Sequence, residues 1–162
     1  MVSDVHTQPH PQPFTAQPHT ASQAQAQGRQ QGELAWLLTG LIQRVPHTTS
    51  ALLLTSDGLV KAAHGFDPDS ADHMAALASG LYSLARSTGA RFAPGDKVLQ
   101  VAVELESSFL FVSAAGTGAC LAVLAGRDAD VGVLSYEMGM LVKSVRPYLS
   151  TPARQQNPTG GR

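Results

Sequence analysis

Hydrophobic and polar positions alternate along the middle of the chain in two different periods. A first apolar stripe recurs at helical spacing and stops before Pro46, which predicts a helix with these inward positions: Leu34, Leu37, Leu38, Leu41, Ile42 and Val45. An apolar run, a Ser56-Asp57-Gly58 turn and a second, more polar run then occupy residues 52–65. Because an Asp-Gly pair favours the positive φ angles of a tight turn, this stretch predicts a β-hairpin.

A second helix is predicted in the stretch DPDSADHMAALASGLYSLARSTG, which begins at Asp67. An aspartate is suited to cap a helix N-terminus, acidic side chains favour the first turn, and Gly89 is a stop signal. The helical period predicts a core-facing stripe formed by Met74, Leu77, Ala78, Leu81, Leu84 and Ala85.

Three strands and a third helix are predicted next. In KVLQVAVELE, alternation places Leu99, Val101, Val103 and Leu105 on one face of a strand. Two apolar runs around Gly116-Thr117-Gly118 predict a second hairpin. The last helical stripe consists of Leu134, Met138, Leu141, Val142 and Val145. The order α-β-β-α-β-β-β-α predicts an α+β fold with a mainly antiparallel sheet between helices.

The two ends of the chain differ in composition from this body. Residues 1–31 consist mainly of Gln, Pro, His, Ala and Thr, which bury too little apolar surface to order a chain, so we expect disorder there. The histidines in this segment are irregularly spaced and do not predict a metal site. Residues 151–162 predict a second flexible tail. One domain is therefore expected over residues 32–150.

Charge and hydropathy indicate a soluble protein. The formal net charge is −1, so no nucleic-acid-binding patch is expected. No apolar run approaches the roughly 20 residues of a membrane helix, so no membrane insertion is expected. The single cysteine, Cys120, excludes an intramolecular disulfide and is compatible with a reducing compartment. We expect a cytoplasmic protein, with recruitment to a membrane only through partners.

The motifs of common enzyme classes are absent from the sequence. There is no Gly-Lys-Ser/Thr phosphate loop, no G-x-S-x-G nucleophile turn and no histidine pair at metal-ligand spacing. A hydrolase using Ser56, Asp57 and His64 is disfavoured, because the first two residues are explained by the turn. The sequence thus predicts neither an enzyme nor a cofactor site.

The middle helix carries a second face made only of small residues, formed by Ala76, Gly80, Ser83 and Ser87. A solvated helix would more often carry Lys, Glu or Gln there, so this face predicts close contact with another helix; a plain solvated face is the alternative. On the last helix, Tyr136, Met140 and Lys143 are predicted to point away from the core. They fit a protein contact and an ordinary surface equally well.

The chain resembles the Roadblock family. The resemblance is carried by LLTGLIQRVPHTTSALLLTSDGLVKAAHG, AALASGLYSLAR, FLFVSAAGTGACLAVLA and YEMGMLVKSV, and it covers about residues 32–150. That family includes the dynein roadblock light chain and a bacterial regulator of a gliding-motility GTPase. The chain is most similar to short actinobacterial members, which are encoded beside a sensor histidine kinase and a Ras-like GTPase.

The resemblance implies a five-stranded antiparallel sheet with the central helix on one face and the two terminal helices on the other, a profilin-like sandwich. It also implies a homodimer that acts without chemistry of its own as a scaffold or regulator of a small GTPase, in a signalling system that includes the histidine kinase. It places KVLQVAVELE at a sheet edge, where Leu99, Val101 and Val103 would meet a second copy.

Two questions about function stay open in the sequence. Arg86 and Arg91 lie on or just beyond the middle helix, as solvated charges or as an arginine finger for a GTPase. A small-molecule sensor of the PAS or GAF type is the alternative function. Such a sensor needs polar groups that converge on a cavity, whereas the inward positions here are mostly aliphatic.

Overall fold

The computed structural model describes residues 19–149. The elements are α1 (His19–Arg44), β1 (Thr48–Thr55), β2 (Val60–His64), α2 (Pro68–Phe92), β3 (Gln100–Glu104), β4 (Ser108–Ala114), β5 (Ala119–Gly126) and α3 (Val131–Leu149). Their order is the predicted one, and the predicted α+β class is confirmed.

The five strands form one antiparallel sheet in the order β2-β1-β5-β4-β3. Helix α2 covers one face, while α1 and α3 cover the other. Strand β1 lies inside the sheet, and its apolar run is fully buried on both faces: Leu53 packs in the α1/α3 cluster and Leu52 and Leu54 pack in the α2 cluster. A continuous apolar run is what a strand covered on both sides requires.

Helix α1 begins earlier than expected. The prediction of disorder is wrong for residues 19–31, which are helical in the structure. Gln, Ala and Arg in this stretch are good helix formers, so the helix continues outward although its side chains over residues 22–29 are exposed. The Gln30 side-chain amide donates to the Tyr148 carbonyl oxygen, which attaches the extension to α3. The other predicted tail segments, 1–18 and 151–162, lie outside the described residues.

Helix α2 follows the predicted stripe in part, since Ala78 is buried and Met74 and Leu81 pack against the α2 cluster. Its predicted core positions Leu77 and Leu84 are 49% and 68% exposed, and the buried stripe is made of alanines: Ala71, Ala75 and Ala78. Small side chains let the helix lie close to the sheet, so the larger leucines point outward. The predicted N-terminal cap is confirmed, since Asp67 accepts a hydrogen bond from the Ser70 amide at 3.0 Å. The helix continues past Gly89 to Phe92.

The β1–β2 turn packs directly under α2. Gly58 has φ +88°, and a Cβ placed on it would lie 3.0 Å from the Ser79 hydroxyl oxygen. Glycine is therefore required here for both backbone conformation and space.

Strand β3 is shorter than its alternating pattern. Leu99 and Leu105 fall outside it and are 83% and 48% exposed.

The stripe predicted for α3 is confirmed, because all of its members are buried: Leu134, Met138, Leu141, Val142 and Val145.

Candidate protein-interaction surface

The outward side of α2 is formed by small residues between exposed leucines. The predicted contact residues Ala76, Gly80, Ser83 and Ser87 are all exposed. No described atom outside the helix backbone lies within 4 Å of a Cβ placed on Gly80. Leu77 and Leu84 flank this small-residue face. A half-apolar helix face left in water is typical of a surface that is covered by a protein partner.

Helix α2 packs on β3, which is one of the two edge strands of the sheet. Among the described strands, β3 pairs only with β4 and leaves its outer edge unpaired. Leu81, which lies between Leu77 and Leu84 on the helix surface, packs in the same cluster as Val101 and Val103. We call the outward residues of α2 (76, 77, 80, 83, 84 and 87) together with Leu99 and the edge of β3 the α2–β3 surface.

The strand residues predicted for a dimer contact differ in their surroundings. Leu99 is 83% exposed, just before β3. The side chains of Val101 and Val103 are half-buried under α2. Their part in a contact with a second copy would therefore come mainly from the unpaired backbone of the edge.

Leu77 and Leu84 are surface residues that sequence reasoning missed, because it assigned the largest apolar side chains to the core. Ala71, Ala75 and Ala78 also recur at i, i+4 and i+7 and continue at Tyr82. This alanine stripe could have predicted the orientation of α2 on the sheet from the sequence.

The residues predicted for partner contact do not form one surface. Arg86 and Arg91 are exposed on α2, with the Arg91 guanidinium 5.9 Å from the centre of the Phe92 ring. Tyr136, Met140 and Lys143 are exposed on α3, as predicted. The sheet separates these two groups, since α2 and α3 pack on opposite faces.

Within residues 19–149 no group of three His, Cys, Asp or Glu side chains is placed to hold a metal ion. Burial raises the pKa of the Cys120 thiol, which favours the unreactive neutral form. The His64 Nδ1 lies 2.9 Å from the Thr39 hydroxyl oxygen, a contact between α1 and β2 on the side of the sheet away from α2. No helix in the described part of the chain is long and apolar enough to cross a bilayer.

Comparison with known proteins agrees with this geometry. The family model of the Roadblock/LC7 domain matches residues 34–125. A Roadblock/LC7 domain from Streptomyces avermitilis, solved as a crystal structure, is 74% identical over 72% of this chain and 98% of that chain, with a TM-score of 0.71. A second Roadblock/LC7 domain of that organism is 43% identical over 68% of this chain and 96% of that chain, with a TM-score of 0.56.

A more distant structure shares the fold. The gliding protein MglB from Thermus thermophilus is 17% identical over 74% of this chain and 90% of that chain, with a TM-score of 0.65. No match was found among curated proteins. Because the family model covers more than half of the chain, the chain belongs to the Roadblock/LC7 family. The resemblance seen in the sequence is thereby confirmed, and the PAS or GAF alternative is not favoured.

Proposed function

We propose that this chain is a non-enzymatic, homodimeric scaffold or regulator of a small Ras-like GTPase in a bacterial signalling system. The observation that carries the proposal is the α2–β3 surface, an exposed half-apolar helix face beside an unpaired strand, in a chain of the Roadblock/LC7 family. The family domain is proposed to extend over residues 32–150, beyond the matched range.

The proposed dimer joins two β3 edges across a two-fold axis. The two strands pair and continue the sheet from one copy into the other, which satisfies the unpaired backbone groups of each edge. The two α2 helices then lie side by side, with Gly80 and Ser83 allowing close approach and Leu77 and Leu84 losing their exposure to water.

The GTPase partner is proposed from the family resemblance together with the chemistry of the chain. The chain has no phosphate loop, so any nucleotide would be bound by the partner. Because no metal-ligand cluster is assembled in the described residues, we propose that an effect on hydrolysis comes from positioning the GTPase's own groups. Arg86 or Arg91 acting as an arginine finger is a narrower version of this proposal. Tyr136, Met140 and Lys143 would serve a separate contact, for instance with the histidine kinase system.

Self-association is tested with paired charge substitutions in the small-residue face. Gly80→Glu combined with Ser83→Arg crowds that face and is expected to weaken the dimer, as measured by light scattering across a dilution series. Gly139→Ala is the control, because Gly139 lies on α3 with nothing described within 4 Å of its Cβ position. A double variant that associates as tightly as the wild type would exclude this face from the interface.

GTPase binding is tested by titrating the Ras-like GTPase encoded nearest this gene, loaded with GDP or with a GTP analogue. We expect saturable binding to at least one form. Absence of binding to both forms at tens of micromolar would refute a direct partnership. Reduced hydrolysis with Arg86→Ala or Arg91→Ala would identify the finger, while binding with unchanged turnover would identify a scaffold.

A further inference from the structure

A cleft of mixed polarity lies at the end of the sheet where the two hairpin turns meet, on the α2 side. It has a volume of about 330 Å³ and is bounded by the β1–β2 turn, the β4–β5 turn and α2. The Ser56 amide donates to the Gly118 carbonyl oxygen at 2.9 Å, which holds the two turns together. Gly116 and Gly118 have φ +112° and +72°. Ser56 and Thr117 line the cleft from the two turns, and Tyr82 and Arg86 line it from α2.

Arg86 supplies the charge of this cleft. Arg44 and Arg127 form ion pairs with glutamates, whereas Arg86 has neither an ion pair nor a hydrogen bond among residues 19–149. The positive charge of Arg86 acts on the cleft, because it opposes the increase that burial causes in the pKa of Cys120 and of Tyr82. A guanidinium carries five donors in a planar fork, and here they are available to a ligand.

The surroundings of the cleft extend it and carry charges of both signs. An adjoining cleft of about 430 Å³ shares Tyr82 and Arg86 and is also lined by Asp96 and Lys97. On the other side of the β4–β5 turn, the Cγ of Arg146 lies 3.6 Å from the Cβ position of Gly116. Asp96 is the carboxylate that lines the adjoining cleft, and it forms no ion pair with Arg86 within the described residues.

We infer that this cleft binds the phosphoryl group of a small phosphorylated ligand, with the remainder of the ligand in the adjoining cleft. A guanidinium fork pairs with two phosphoryl oxygens, and the Ser56 and Thr117 hydroxyls can donate to the others. Turns with left-handed residues present backbone N–H groups to anions, as Gly116 and Gly118 permit here. The two volumes fall in the range of small-ligand sites. Arg86, Ser56 and Thr117 are exposed at the rim, so the site is an open cleft and not the enclosed cavity of a PAS or GAF sensor.

The test is a nuclear magnetic resonance titration of the full chain with inorganic phosphate at constant ionic strength, using sodium chloride as the reference salt. We expect saturable shifts of the amide signals of residues 116–118 with a Kd in the range of about 1–10 mM. Glucose 6-phosphate is expected to bind more tightly than phosphate, because its sugar occupies the adjoining cleft. Arg86→Gln is expected to weaken binding of both probes by about tenfold or more.

Arg29→Gln is the matched control, because Arg29 is an exposed arginine of α1 that lines neither cleft. It is expected to leave the phosphate affinity unchanged. Shifts that stay linear up to about 50 mM phosphate would overturn the inference. So would equal shifts in chloride, or an equal loss of affinity in the two arginine variants. No GTPase is present in this experiment, so its outcome is independent of the function proposed above.

Discussion

Replacing Leu84 with alanine is expected to weaken self-association while leaving the folded protomer intact. Leu84 is 68% exposed on α2, so the protomer loses little packing when the side chain is shortened. In the proposed dimer this side chain is covered by the second copy. The variant therefore separates interface stability from fold stability.

The size of the effect follows from the exposed fraction of Leu84. Leucine exceeds alanine by about three methylene equivalents, each contributing about 0.8 kcal/mol when it is buried. Burying the 68% that is exposed contributes about 1.6 kcal/mol per copy. Two copies meet in a two-fold dimer, so the expected loss is about 3 kcal/mol, or roughly two orders of magnitude in Kd.

The assay is sedimentation equilibrium of the wild type and the variant over a wide concentration range. Leu59→Ala is the control, because Leu59 is 63% exposed but lies in the β1–β2 turn, outside the α2–β3 surface. Its dimer Kd is expected to match the wild type. Equal Kd values for all three proteins would refute the placement of Leu84 in the interface. An equal weakening in both variants would show a general effect of exposed leucines.

Three further predictions concern the protomer. Deleting residues 1–29 is expected to shift the thermal midpoint by less than about 2 °C, because the described side chains before Gln30 are exposed; a larger shift would show that this segment packs on the body. Gly58→Ala is expected to cost about 1–3 kcal/mol in urea denaturation, since φ is +88° and the new Cβ meets Ser79, whereas Gly139→Ala should cost nothing. Burial raises the pKa of the Cys120 thiol above its ordinary 9.0. The buried neutral thiol therefore contributes to the free energy of unfolding below pH 9, and this contribution is lost as the pH rises through the folded-state pKa. Cys120→Ala should flatten this loss of stability at alkaline pH, as measured by denaturation midpoints.

Hydrophobic period alone was sufficient for much of the fold. The fully apolar run of β1 predicted a strand covered on both faces, and the stripe of α3 predicted its buried side, since in both cases large aliphatic residues fill the core. Helix α2 does not follow that rule. Its fully buried residues are alanines, whereas the predicted stripe also included Leu77 and Leu84, which are exposed to solvent.

The candidate sites could be predicted only in part from the periodicity of hydrophobic positions. The small-residue face of α2 was visible in the sequence, because Gly80 and its neighbours depart from the usual composition of a solvated helix. The cleft at Arg86 was not visible in the sequence, because two turns that are far apart in the sequence have to meet beside one helix to form it. The start of α1 was missed because helix propensity competed with low hydrophobicity, and the long-range contact of Gln30 with Tyr148 appears only in three dimensions.

The central claim is that two copies of this chain act together on a GTPase. It is tested most directly by light scattering of the wild-type chain mixed with the GTP-analogue-bound Ras-like GTPase encoded nearest its gene. We expect a complex whose mass contains two copies of this chain together with the GTPase. If the two proteins elute separately from a sizing column, and this chain has the mass of one protomer at micromolar concentration, the claim is contradicted.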